Sequence, residues 1–212
     1  DPARNDAKTN EGESVHSNHD EYRVSFSLIA SWILLVSVGM AGLYDYETKP
    51  GAAAEPPDRW PSDSGLVRAT ARHTLVMVVH PRCSCSRASL SVLERLASDL
   101  KGRVTTHIVF VRPAGTPEGF ERSDLWTRAL ALGARVTVDP SGIEARRFGA
   151  QTSGHVALFS PTGRRLFFGG LTSSRGHEGS SIGHDRILAA VLDGNENRQQ
   201  AAVFGCPTGN GG

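Results

Sequence analysis

The sequence predicts an α/β domain, a mixed sheet flanked by helices, preceded by one transmembrane helix. Three observations carry that class. Residues 24–43, VSFSLIASWILLVSVGMAGL, hold no charge over the length needed to cross a hydrocarbon core. Beyond residue 66, short apolar runs of strand length alternate with segments whose apolar residues recur at helical spacing. Glycine and proline clusters separate them. A length of 212 residues suits one compact domain plus appendages.

Taken in order, residues 1–23 are polar, charged or small, too poor in apolar side chains to offset the entropy of ordering, and are expected as a disordered tail. Residues 24–43 form the membrane helix, with Arg23 before it and Tyr44 and Tyr46 after it, where an interfacial belt sits. A cleaved signal peptide is the rival reading, with Gly39-Met40-Ala41 as a small-residue cleavage site. Residues 44–65 carry four prolines and three consecutive alanines without periodicity, the composition of a linker.

The folded domain is expected over residues 66–193. Residues 74–79, TLVMVV, read as a strand buried on both faces. Leu93, Leu96, Ala97 and Leu100 share one helical face opposite Glu94, Arg95 and Asp99. Residues 106–111, THIVFV, give a second strand, residues 123–132 a helix with Gly133 as its C-terminal cap, and residues 135–139, RVTVD, a third strand. A short helix follows in IEARRFG. HVALF and RLFF flank Ser160-Pro161-Thr162-Gly163 as a hairpin, and residues 185–192 form the last helix. Residues 194–212 are left as a C-terminal tail. This order implies parallel pairing first and an antiparallel hairpin last, in one sheet with helices on both faces.

The order resembles the thioredoxin fold. DPSGIEARRFGA followed by VALFSPTGRRLFFGG resembles the corresponding segment of membrane-tethered thioredoxin-like proteins and peroxiredoxin relatives, and the likeness spans residues 66–193. More narrowly, HPRCSCSRASL, FGAQTSGH, GGLTSSRGHEG and VFGCP are similar to a bacterial group labelled RedB-like. The resemblance implies a reactive cysteine at the end of the first strand, which falls on Cys83. The sequence departs from the pattern twice. Cys83 is followed by Cys85, with Ser86 in the place of the usual second cysteine, and Gly154 aligns with the usual cis-proline.

A thiol opening a helix meets unpaired N–H groups and the positive end of the helix dipole, and both favour thiolate. Arg82 and Arg87 add charge beside Cys83, the expected nucleophile. Side chains two apart point in nearly opposite directions, so a Cys83–Cys85 disulfide is strained and easily reduced. Alternatively Cys206 is the resolving thiol, since the tail from residue 194 reaches roughly 40 Å when extended. Thr152, Ser153 and Gly154 are expected to offer backbone to a partner's chain, with Arg175 and His177 flanking the site.

The expected function is thiol–disulfide exchange with protein thiols or disulfides, outside the cytoplasm and tethered to the membrane, with Cys83, Cys85, Cys206 and Arg82 as catalytic residues. No dissociable cofactor is required. The alternative is a copper or zinc site built from Cys83, Cys85, His80 and His177, a soft sulfur and nitrogen donor set. A net charge of +1 with acids and bases intermixed gives no footprint for nucleic acid. Neither phosphate-loop nor dinucleotide spacing occurs in the glycine-rich residues 169–183, and the nucleophile elbow of hydrolases is absent, which leaves Ser153 a weak candidate for that chemistry.

Overall fold

The computed structural model describes residues 13–209, with side chains from residue 22 onward. Residues 1–12 of the expected tail and residues 210–212 lie outside the described residues. The chain divides into two units between Tyr46 and Glu47.

The first unit is carried by helix α1, Glu13–Thr48. Its stretch Tyr22–Thr48 is long and apolar enough to cross a membrane, and Trp32, Leu34 and Leu35 are exposed along it. The helix is longer than the apolar run at both ends. The expected tail is thus helical from Glu13, because backbone hydrogen bonding along a helix does not require apolar side chains.

The second unit holds the sheet. Strands β1 (His73–Val79), β2 (Val104–Arg112), β3 (Arg135–Pro140), β4 (His155–Phe159), β5 (Arg165–Gly169) and β6 (Gln199–Gln200) lie in the order β3-β2-β1-β4-β5-β6. Central β1 pairs parallel with β2 and antiparallel with β4, and β4 and β5 form the hairpin. Its turn closes with Gly163 N–H donating to Ser160 O at 2.9 Å, Gly163 taking φ 84°. Helices α2 (Ser84–Leu100), α3 (Asp124–Ala131), α4 (Ile143–Arg147) and α5 (Ile182–Leu192) complete the expected order.

Alternation along β1 explains why its sequence is continuously apolar. Leu75, Met77 and Val79 face one core with Leu93 and Leu96 of α2, Leu125 of α3 and Ile187 of α5. Val76 and Val78 face the other, with Ala145 of α4, Phe148, Phe159 and Leu66. Over that second face lies the five-residue α4, and Trp60 and Leu66 of the segment 47–66 pack against the same core. Trp60 packs edge-on against Phe148 and Phe159, with ring centroids 5.1 and 5.2 Å apart.

The segment expected as a linker is therefore a strap on the domain. Arg165, buried, donates to Pro57 O and Asp58 Oδ1, and Glu144 accepts from Ser64 Oγ at 2.7 Å and Gly65 N–H at 2.9 Å. The C-terminal segment is docked too. It adds β6 parallel to β5, and Gly51 N–H donates to Val203 O at 2.8 Å. Polar composition hid both segments, since their order rests on backbone hydrogen bonds and a few buried anchors.

Candidate functional site: a three-thiol cluster

β1 ends against the loop His80-Pro81-Arg82, and Cys83 caps α2 with extended backbone, φ −86° and ψ 114°. Cys83 N–H donates to His80 O, and Ser86 N–H donates back to Cys83 O, each at 3.1 Å. Cys83 and Cys85 are buried on the domain side of this first turn, while Ser84 and Arg87 are exposed.

The third thiol arrives from the far end of the chain. Residues 151–153, just before β4, pair antiparallel with residues 206–208. Ser153 N–H donates to Cys206 O at 2.8 Å, Thr208 N–H donates to Gln151 O at 2.9 Å, and Thr152 bridges Pro207. The two chains meet so closely that a Cβ on Gly205 would lie 2.0 Å from Ser153 O. Arg175 donates to Gly205 O and reaches Lys49 O, clamping this segment from outside. As a result the sulfurs of Cys83, Cys85 and Cys206 all lie within 4.8 Å of one another, and all three are free thiols.

The thiols differ in acidity. Burial alone raises Cys83, but hydrogen bonds from Ser86 and Cys206, through side chains and backbone, outweigh it and leave Cys83 below the ordinary thiol value. Cys206 is pushed up to about 12 by burial, by its hydrogen bond to Cys83 and by the charges of Cys83 and Cys85, against the opposing charge of Arg175. One thiol of the pair thus ionises first and the other keeps its proton, donating it to the first.

Ser153 is fully buried; its Oγ accepts from His80 N–H at 2.6 Å and lies 2.5 Å from Ser86 Oγ. It braces the loop, and neither of these partners is a base of the kind a hydrolase nucleophile needs. Gly154 N–H donates to Val78 O at 2.8 Å, and Gly154, at φ 93°, lies where a Cβ would sit 2.9 Å from Ser89 Oγ. The backbone expected to receive a partner's chain is thus occupied by this chain's own residues 206–208.

Other expected residues fall elsewhere. The Arg82 guanidinium lies over the Phe120 ring, 4.6 Å from its centroid. His80 packs edge-on against Phe120, its Nδ1 accepts from Arg82 N–H, and burial followed by the Arg82 charge keeps it below the ordinary imidazole range. His177 is exposed on its loop. Among the described residues, neither histidine belongs to the cluster of potential ligands, which is the three cysteines alone. Cys206 therefore stands where the metal reading expected imidazole. Ser86 and Phe120 were not expected at the site. Ser86 carried a signal, since it holds the place of a second redox cysteine; Phe120, in a loop without periodicity, carried none.

No protein-family model matches the chain, and no curated protein sequence does. Solved structures are similar to it. A hypothetical protein from Sinorhizobium meliloti is 20% identical with a TM-score of 0.56, covering 77% of this chain and 96% of its own. An uncharacterized conserved protein from Geobacillus kaustophilus is 21% identical with a TM-score of 0.55, covering 76% and 92%. A putative thioredoxin from Neisseria meningitidis, 16% identical, reaches a TM-score of 0.43 over 59% of this chain and 78% of its own. With its central strand, antiparallel hairpin and cysteine-capped helix, the fold of this chain is thioredoxin-like.

Proposed function

We propose that the protein is a thiol–disulfide oxidoreductase whose working pair is Cys83 and Cys206. The observation that carries this is the approach of the two sulfurs to within 4.8 Å, with Cys83 the more acidic thiol and Cys206 the one that retains its proton. In the oxidising direction for the protein, the Cys83 thiolate attacks one sulfur of a disulfide, forming a mixed disulfide and expelling the other half as thiolate. Cys206 gives up its proton as that thiolate is protonated, attacks Cys83 Sγ, and expels the second half. Two electrons pass from the protein to the substrate, two substrate thiols form, and a Cys83–Cys206 disulfide remains. Cys85, within 4.8 Å of both, is an alternative resolving thiol.

The test is trapping. Cys83→Ser should end turnover of a disulfide substrate, and Cys206→Ser should accumulate the mixed disulfide on Cys83, seen as a mass adduct. Resolution that persists in Cys206→Ser and is lost in Cys85→Ser would transfer the resolving role to Cys85.

The same three sulfurs support a second reading, a soft-metal site. A donor set of three thiolates suits Cu(I), whereas structural Zn(II) takes four ligands and needs one more. Metal titration of the reduced protein separates the two. A metal site loses its ion equally on substitution of any of the three cysteines, while a redox site responds differently to each.

The setting we infer is of the membrane-tethered, RedB-like kind, with α1 as anchor and the folded domain on the extracytoplasmic side, where disulfides persist. Retention in the membrane fraction after a carbonate wash supports the anchor. A soluble product with a new N-terminus near Gly42 would show a cleaved signal peptide.

A further inference from the structure

Cys83 is buried, covered on one side by the chain's own backbone and bordering a cleft on another. On the β4 side, residues 205–208 occupy the backbone of residues 151–153. On the opposite side, a cleft of about 380 Å³ lies between the first turn of α2 and the loop leading into α3, with Cys83 in its lining. Three arginines line it, Arg82, Arg87 and Arg122, all exposed, against a single carboxylate, Asp124. Asp124 is paired with Arg87 at 2.6 Å, which leaves two positive charges in excess. Arg82 is held in place by Phe120, also in the lining. Ser123 Oγ, in the same wall, is buried and has no hydrogen-bond partner among the described residues.

We propose that this cleft selects substrates carrying a carboxylate close to the reacting sulfur. This rests on the redox reading above and names its substrate class. Arg122 and Arg82 supply the attraction, Ser123 an additional donor, and the aromatic face of Phe120 an apolar floor for the carbon chain between carboxylate and sulfur. The volume suits a small molecule or the side chains around one cysteine of a peptide. The exchange is the one already written, with the carboxylated disulfide reduced to two carboxylated thiols and the Cys83–Cys206 disulfide formed.

The test compares matched reagents of different charge on the reduced full chain, each rate divided by that for a small free thiol. Dithiodipropionate (anionic), bis(hydroxyethyl) disulfide (neutral) and cystamine (cationic) report exchange, while iodoacetate and iodoacetamide report Cys83 alkylation, which needs no disulfide chemistry. The expected result is anionic over neutral over cationic, with about a 5- to 10-fold preference for the anion over the neutral reagent that shrinks between about 20 mM and about 500 mM salt. Arg122→Gln should lower the anionic-to-neutral ratio severalfold and Arg122→Glu should invert it. Equal normalised rates for all charges, or ratios unmoved by the Arg122 variants, would overturn the cleft proposal while leaving exchange intact. A preference for iodoacetate with no exchange on any disulfide would leave the cleft standing and sink the redox reading. Disulfide-linked peptides with aspartate or asparagine beside the cysteine separate the sources. A charge preference confined to the peptides assigns the carboxylate to a protein partner, and one confined to the small reagents assigns it to a low-molecular-weight thiol.

Discussion

The two thiols of the proposed redox pair are built on opposite principles. Cys83 is placed locally, by the end of β1, the start of α2 and two hydrogen bonds spanning three residues each. Cys206 is placed at long range, in a segment with two residues of regular structure before it, through backbone pairing to residues 151–153 and the Arg175 clamp. A nucleophile can be fixed by one supersecondary unit. Its partner is fixed only once the whole domain has folded.

The largest expected effects break that comparison chemically. Cys83→Ser should abolish exchange, whereas Cys206→Ser should stop the cycle one step later, and Cys206→Ala should also raise the Cys83 pKa toward the ordinary thiol value, because one of its hydrogen-bond donors is removed. The pH dependence of Cys83 alkylation measures this. If the profile does not move, Cys206 has no electrostatic role. Ser86→Ala should shift it in the same direction.

Next in size is the strap. Trp60→Ala should cost about 3 kcal/mol in denaturant unfolding, since it removes the ring filling the face over Phe148 and Phe159. An unchanged midpoint would mean that residues 47–66 lie on the domain without stabilising it.

Gly205→Ala sharpens the contrast by addressing the segment alone. A methyl group 2.0 Å from Ser153 O cannot be accommodated without moving the chain, so this variant should lose roughly 1–3 kcal/mol, or should release the segment and expose Cys206 to alkylation. Wild-type stability together with a protected Cys206 would contradict the close pairing.

The pH effects fall at opposite ends of the scale. His155 is buried against Phe168 and its pKa is lowered by burial to about 4, so the unfolded chain binds its proton first as pH falls. Stability should therefore decline from about pH 6.5 downward until about pH 4. Cys206 is raised from 9.0 to about 12, so the folded state keeps a proton that the unfolded chain loses, and the stability of the reduced protein should decline as pH rises through that window. Cys206→Ser should flatten the alkaline limb and leave the acid limb unchanged.

The sheet and its helices were legible because each announces itself locally. TLVMVV is apolar on both faces, Leu93 and Leu96 keep helical spacing, and Gly133 with φ 75° ends α3 where its sequence position suggests. Cys83 was legible for the same reason, as a thiol opening a helix. The strap and the C-terminal segment were not, because polar and proline-rich residues are held there by partners such as Arg165 and Glu144, far away in sequence. The placement of Arg82 was not legible either, since nothing in PRCSC shows that its guanidinium turns to Phe120.

For the proposed Cys83–Cys206 pair, the separation of the two thiols along the chain has a consequence for redox potential. They lie 123 positions apart (206 − 83). Joining them closes a loop that holds every strand of the sheet except β1 and removes on the order of 5 kcal/mol of configurational freedom from the unfolded chain. By thermodynamic linkage, whatever the bond adds to the folded state the folded state returns to the bond, making the disulfide harder to reduce. Stabilisation of the Cys83 thiolate pulls the other way, because it favours the reduced form. The potential of this pair is thus set by a contest between polymer entropy and thiolate solvation, and loosening the segment around Gly205 shifts that contest toward a stronger oxidant.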